Sequence, residues 1–239
     1  SLAEKLDTLV GLFGIGQPPT GVKDPFALRR AALGVLRIVI ENKLDVDLQS
    51  LLQQAQHGFD TQLTEEDVTE KVTRYFFDRL RGYALDQGVK ADVFESVLTI
   101  APTRPLDFMQ RLTAVADFRQ LEQAASLAAG NKRIGNILRK NDAEGDAGKI
   151  DTSLLTEAAE QALAKKLQAV TKVVEPLMAQ ADYAGVLNTL AEMRETVDGF
   201  FDEVMVMAED EAVRANRLSL LKQTRALFLG VADISCLQS

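Results

Sequence analysis

Apolar residues recur along almost the whole chain at intervals of three and four, and no stretch alternates for long with a period of two. That pattern predicts an all-α protein. The first clear helix start is Asp24-Pro25, an acid in a capping position followed by proline at the first helical position. The body that follows, FALRRAALGVLRIVI, sets Leu28, Ala32, Val35 and Val39 on one face and Arg30 and Arg37 on the other. Ahead of it lies GIGQPPTG, Gly14 to Gly21, which reads as a rigid loop by its glycine and proline content. Further helices are expected over about 47–57, 64–86 and 90–99. Thr64 heads the second of these, with Glu65, Glu66 and Asp67 in a first turn where acids suit the helix dipole.

Pro102 and Pro105 then punctuate the chain, and a new helical array begins at Thr103 or Arg104. A domain boundary is placed there, giving units 1–103 and 104–239. Long helices are expected over about 105–117, 119–140, 156–180, 182–203 and 210–230. Between them NDAEGDAGKID, Asn141 to Asp151, is a polar loop and the expected flexible point. Near the end, FFDEVMVMAEDEAVRANRLSLL joins two helices through four apolar residues, Val204 to Met207, read as a buried corner. In the helix after it Arg214, Lys222 and Arg225 group together. At about 100° per residue, Arg217 falls instead on the apolar side, between Val213 and Phe228. A guanidinium there needs an anionic partner, and Asp202 in the preceding turn is the expected one, forming a structural ion pair with Arg217.

Composition narrows the functions available. With 239 residues and a net charge of -8, the chain is no sequence-blind nucleic-acid binder held by a basic surface. A local RNA site stays open, since only charges within about 8–10 Å act strongly on a ligand. Cys236 is the only cysteine, so no intrachain disulfide can form, and a reducing, cytoplasmic setting fits. No run approaches the roughly 18–20 apolar residues of a membrane span, and no signal-like N-terminus is present. The first residue is serine rather than methionine, which suggests a piece of a longer protein or a processed one.

Catalytic readings lack parts. His57 is the only histidine, so neither a His-rich metal site nor a two-histidine relay can be built, and Gly58 follows it where an HD-type phosphohydrolase needs aspartate. His57 in QHGFD is read as a capping or surface residue. Cys236 has no histidine near it in sequence to activate it. GLFGIG, Gly11 to Gly16, lacks the spacing, the preceding strand and the GK[ST] of a phosphate loop. No metal site or cofactor is expected in this chain.

NKRIGNILRK, Asn131 to Lys140, departs from the acidic average, with four basic residues and no acid. At about 100° per residue Lys132, Arg133, Asn136, Arg139 and Lys140 share an arc of about 120°, opposite Ile134, Ile137 and Leu138. One reading is a solvated helix face whose charges complement the helix C-terminus. The other is a face that grips phosphates, with Asn136 available to a base edge or a sugar hydroxyl.

These segments carry a resemblance. FFDEVMVMAEDEAVRANRLSLL, with NKRIGNIL upstream, resembles the DALR-type anticodon-binding domain of aminoacyl-tRNA synthetases, which arginyl- and cysteinyl-type enzymes share. KDPFALRRAALGVLRIVIE, PTRPLDFMQRLTAV and the closing VADIS resemble, more narrowly, the beta-subunit family of bacterial tetrameric glycyl-tRNA synthetases. The likeness runs almost from end to end. It implies a C-terminal fragment, with the end of an HD-like body and a helical connector over 1–103 and the DALR-type domain over 104–239. It also implies that ATP and glycine chemistry belongs to the alpha subunit of an alpha2beta2 tetramer. This chain would then be non-catalytic alone and would read the anticodon of tRNA(Gly), with no membrane or DNA partner. Lys132, Arg133, Asn136, Arg139 and Lys140 are the expected tRNA contacts, followed by Arg194. Phe200 and Phe201 could stack on bases, or belong to the core. The rival function is an α-helical protein-interaction scaffold without RNA binding.

Overall fold

The computed structural model describes all residues except 60–62, 142, 144–147 and 238–239. The fold is all-α, as expected, with eleven α-helices and no extended strand among the described residues. The chain divides into two compact units, Ser1–Phe94 with Ala101–Gln110, and Glu95–Ile100 with Arg111–Ser239. Helices α5 (Ala91–Leu98) and α6 (Pro105–Phe118) each contribute residues to both.

The first unit opens on a helix that the sequence pattern did not announce, α1 (Leu2–Gly14). Ser1 and Glu4 form a capping box at its start, and Leu6, Leu9, Val10 and Phe13 are buried against α2 (Leu28–Glu41), α3 (Leu48–His57) and α4 (Val68–Asp86). Its two later glycines resemble loop residues in sequence, yet they serve packing. A Cβ on Gly11 would lie 2.9 Å from the Phe59 ring, and one on Gly14 would lie 2.5 Å from Leu63.

Helix α2 buries Leu28, Ala32, Val35 and Val39 as its pattern predicts. It starts later than Asp24-Pro25 suggests, because Ala27 turns into the left-handed region at φ 54°. Asp24 still closes the helix end, since its two carboxylate oxygens accept the N–H groups of Leu28 (2.8 Å) and Arg29 (3.0 Å). Asp24→Ala should therefore cost about 1 kcal/mol of stability, read as a lower urea midpoint at unchanged slope. Helix α4 likewise begins at Val68 rather than Thr64. The backbone N–H groups of Thr64 and Glu65 are taken by the carbonyl of Gly14, at 2.8 and 2.9 Å. His57 is exposed in the last turn of α3, where a basic group suits the helix dipole.

In the second unit α7 (Ala124–Lys140), α8 (Ala158–Ala179), α9 (Tyr183–Ala191), α10 (Arg194–Glu203) and α11 (Glu211–Leu229) pack together, with a short 3₁₀ turn at Ile234–Cys236 against α7. The single helix expected over 182–203 is two. Glu192 and Met193 close tight turns back to Thr189 and Leu190, and this carries the Met193 side chain into the core. Part of the expected flexible loop after α7, residues 142 and 144–147, lies outside the described residues.

The corner after α10 differs from expectation in two ways. Val204 and Val206 are buried, but Met205 and Met207 are exposed, so the four apolar residues alternate as extended chain rather than burying together. Arg217 does anchor this corner, but not through Asp202, which is exposed. Its guanidinium donates to both carboxylate oxygens of Glu160 (2.7 and 3.2 Å) and to the Met205 carbonyl (2.9 Å). Glu160 sits in the first turn of α8, fully buried, and also accepts the N–H groups of Thr156 and Glu157. Burial pushes the Glu160 carboxyl up. The Arg217 hydrogen bonds and the two backbone N–H groups outweigh that and hold it below the usual carboxylate value.

Candidate nucleic-acid interface

Helix α7 carries the expected cationic face. Leu127, Ile134 and Leu138 bury one side, together with two glycines that let neighbouring helices close in. A Cβ on Gly130 would come 3.0 Å from Val197 of α10, and one on Gly135 would come 3.3 Å from the Arg225 guanidinium of α11. Asn131 turns inward, bonding the Leu127 carbonyl. Lys132, Arg133, Asn136, Arg139 and Lys140 are all exposed on the other side. Among the described residues none of the four cations forms an ion pair with an acid. Arg139 donates instead to the Asn136 side-chain oxygen at 2.5 Å, and the amide N–H₂ of Asn136 has no hydrogen-bond acceptor among the described residues.

The other expected contacts fall out differently. Arg194 lies 3.1 Å from Glu122 and 3.7 Å from Asp198, so its charge is compensated locally. Phe200 is completely buried and is a core residue, with no face to offer a base. Phe201 is half-buried, edge-on to Phe200 at 5.6 Å between ring centres, and the Arg133 guanidinium lies 4.2 Å over its ring. Arg225, grouped with the exposed arginines by helical phase, is instead partly buried against Asp233 at 3.0 Å, which holds the 3₁₀ turn.

Two hollows flank these elements. One of about 650 Å³ lies between the alanine-rich start of α7 and the 3₁₀ turn, with Arg119, Lys132 and Cys236 in its walls. Burial pushes the Cys236 thiol pKa up, so the group is no ready nucleophile. The second, of about 850 Å³, lies along α8 and is edged by Lys149, Lys165 and Lys172. Sequence reasoning missed these lysines because they are scattered over two segments and converge only after folding. Among the described residues no group of acids, histidine and cysteine could hold a metal ion, and no helix is long and apolar enough to cross a membrane.

Residues 127–234, from within α7 to the start of the 3₁₀ turn, match the family described as DALR anticodon binding domain. That segment is thus similar to a helical anticodon-binding domain, and the cationic face of α7 lies within the match. Residues 1–99 match the family described as glycyl-tRNA synthetase beta subunit. The chain is 56% identical over 238 residues to the glycine–tRNA ligase beta subunit of Shewanella pealeana, covering 100% of this chain and 34% of that protein. It is 52% identical over 237 residues to the same subunit of Marinobacter nauticus, covering 99% of the chain and 34% of that protein. The chain is similar to the glycyl-tRNA synthetase beta subunit along its whole length, and it spans about a third of the length of these curated relatives.

Proposed function

We propose that this chain is the tRNA-binding portion of a glycine–tRNA ligase beta subunit, and that the exposed face of α7 meets the anticodon arm of tRNA(Gly). The observation that carries this reading is the four cations of α7, which pair with no acid among the described residues of a chain of net charge -8. Cations left uncompensated on one face form a local positive field that suits phosphates, whatever the overall charge. The lysines along α8 offer the nucleic-acid backbone a second contact. Glycine activation with ATP, in this reading, belongs to the alpha subunit of an alpha2beta2 assembly in the cytoplasm. This chain alone attaches no glycine to tRNA.

The test is a fluorescence titration of the 239-residue chain with tRNA(Gly) and with the same tRNA carrying a swapped anticodon, at two salt concentrations. Tighter binding of the first, weakening as salt rises, is expected. Equal and negligible binding of both would leave the chain as a protein-interaction scaffold.

A further inference from the structure

The aromatic residue at the surface is already occupied. Phe201 reaches the interface, but the face of its ring that a base would use is covered by the Arg133 guanidinium at 4.2 Å. Phe200, buried beneath, holds Phe201 edge-on. The close approach of α7 to α10 at Gly130, one turn before Arg133, fixes the two helices that carry the stack. Arg133 is nonetheless exposed, and among the described residues no hydrogen bond or ion pair engages it.

We infer that Arg133 is a stacking platform for an unpaired nucleobase, with Phe201 as its support. A guanidinium is flat and delocalised, with two usable faces. In this proposal one face rests on Phe201, attracted by the ring's electron-rich surface, and the other is offered to the base by an exposed side chain. Unpaired RNA bases stack on arginine planes as they do on aromatic rings. An arginine held over a ring before the ligand arrives loses little conformational freedom on binding. Its in-plane N–H groups stay available to a phosphate or a base edge, and Lys132 and Asn136 flank it on the same face of α7. Arg133 thereby takes the stacking role that the sequence leaves open for Phe200 and Phe201, beside their reading as core.

This inference rests on the tRNA reading above, and the experiment separates the two. A hairpin carrying the anticodon loop of tRNA(Gly), with 2-aminopurine at each anticodon position in turn, is titrated with the wild-type chain, Arg133→Lys and Phe201→Ala. Lysine keeps the charge and loses the plane. Alanine at 201 keeps every charge and removes the support. With the wild type, 2-aminopurine fluorescence at one position should fall on binding. Both variants should lose that change and bind roughly fivefold or more weakly, with the salt dependence unaltered and circular dichroism native. If Arg133→Lys binds as tightly as wild type with the same fluorescence response, Arg133 is a plain phosphate contact and the platform is wrong, while salt-dependent binding keeps the α7 interface. If the wild-type chain binds no hairpin at all, both readings fall.

Discussion

Arg217→Ala should destabilise the second unit by about 3–5 kcal/mol, because it leaves the Glu160 carboxylate buried without its partner. The Arg217 and Glu160 side chains are 6% and 0% exposed, so water cannot replace the lost contact. The same change removes the donor to the Met205 carbonyl and frees the corner between α10 and α11. In a chain of this size the melting temperature should drop by roughly 6–20 °C. Arg74→Ala, which breaks the exposed pair with Glu70, should leave it nearly unchanged. The pH dependence follows from the depressed Glu160 carboxyl. A group whose folded pKa lies below its unfolded value contributes stability above the unfolded pKa and loses it as pH falls through the folded one. Wild-type stability should therefore decline on acidification below the ordinary carboxylate range, and Glu160→Gln should show a flatter decline from a lower starting point. A melting curve for Arg217→Ala that overlays the wild type at neutral pH would mean that this pair does not hold the corner.

Charge reversal of α7 should have the largest effect on binding. Lys132→Glu with Arg139→Glu places two acids where two exposed cations face the ligand, and tRNA(Gly) affinity should fall more than about tenfold, or ~1.4 kcal/mol. Loss of two phosphate contacts should also flatten the slope of log affinity against log salt by about 0.7 per contact on single-stranded RNA. The fold should survive, since Leu127, Ile134 and Leu138 keep the buried side of α7 intact. Asn136→Ala should instead narrow the gap between cognate and anticodon-swapped tRNA. It removes an amide able to read a base edge, and also the acceptor for Arg139. If the charge-reversed chain is folded and binds with unchanged affinity and slope, α7 is a solvated face. The groove edged by Lys149, Lys165 and Lys172 then becomes the place to look.

Amphipathic periodicity was enough to read the all-α class, the buried stripe of α2 and the cationic face of α7. Each depends only on residues three and four positions apart on one helix. The N-terminal helix escaped because Gly11 and Gly14 look like loop residues until Phe59 and Leu63 pack against them. The break at Glu192 and Met193 escaped because helical spacing continues across it, and only the pull of the core on Met193 explains the turn. Helical phase placed Arg217 on the apolar side correctly, but it could not choose the partner. Glu160 lies 57 residues away, and no local rule connects the two.

The same division holds at the interface. The sequence by itself determined which residues of α7 share a face and that the face is positive, because a helix converts spacing directly into direction. Only the tertiary structure decided that those charges meet no acid among the described residues, that Phe200 is core, that Arg194 is neutralised by Glu122 and Asp198, and that Arg133 lies over Phe201. Those outcomes depend on how α10 packs against α7. That packing is set by side-chain volumes on both helices together, a property that neither segment carries alone.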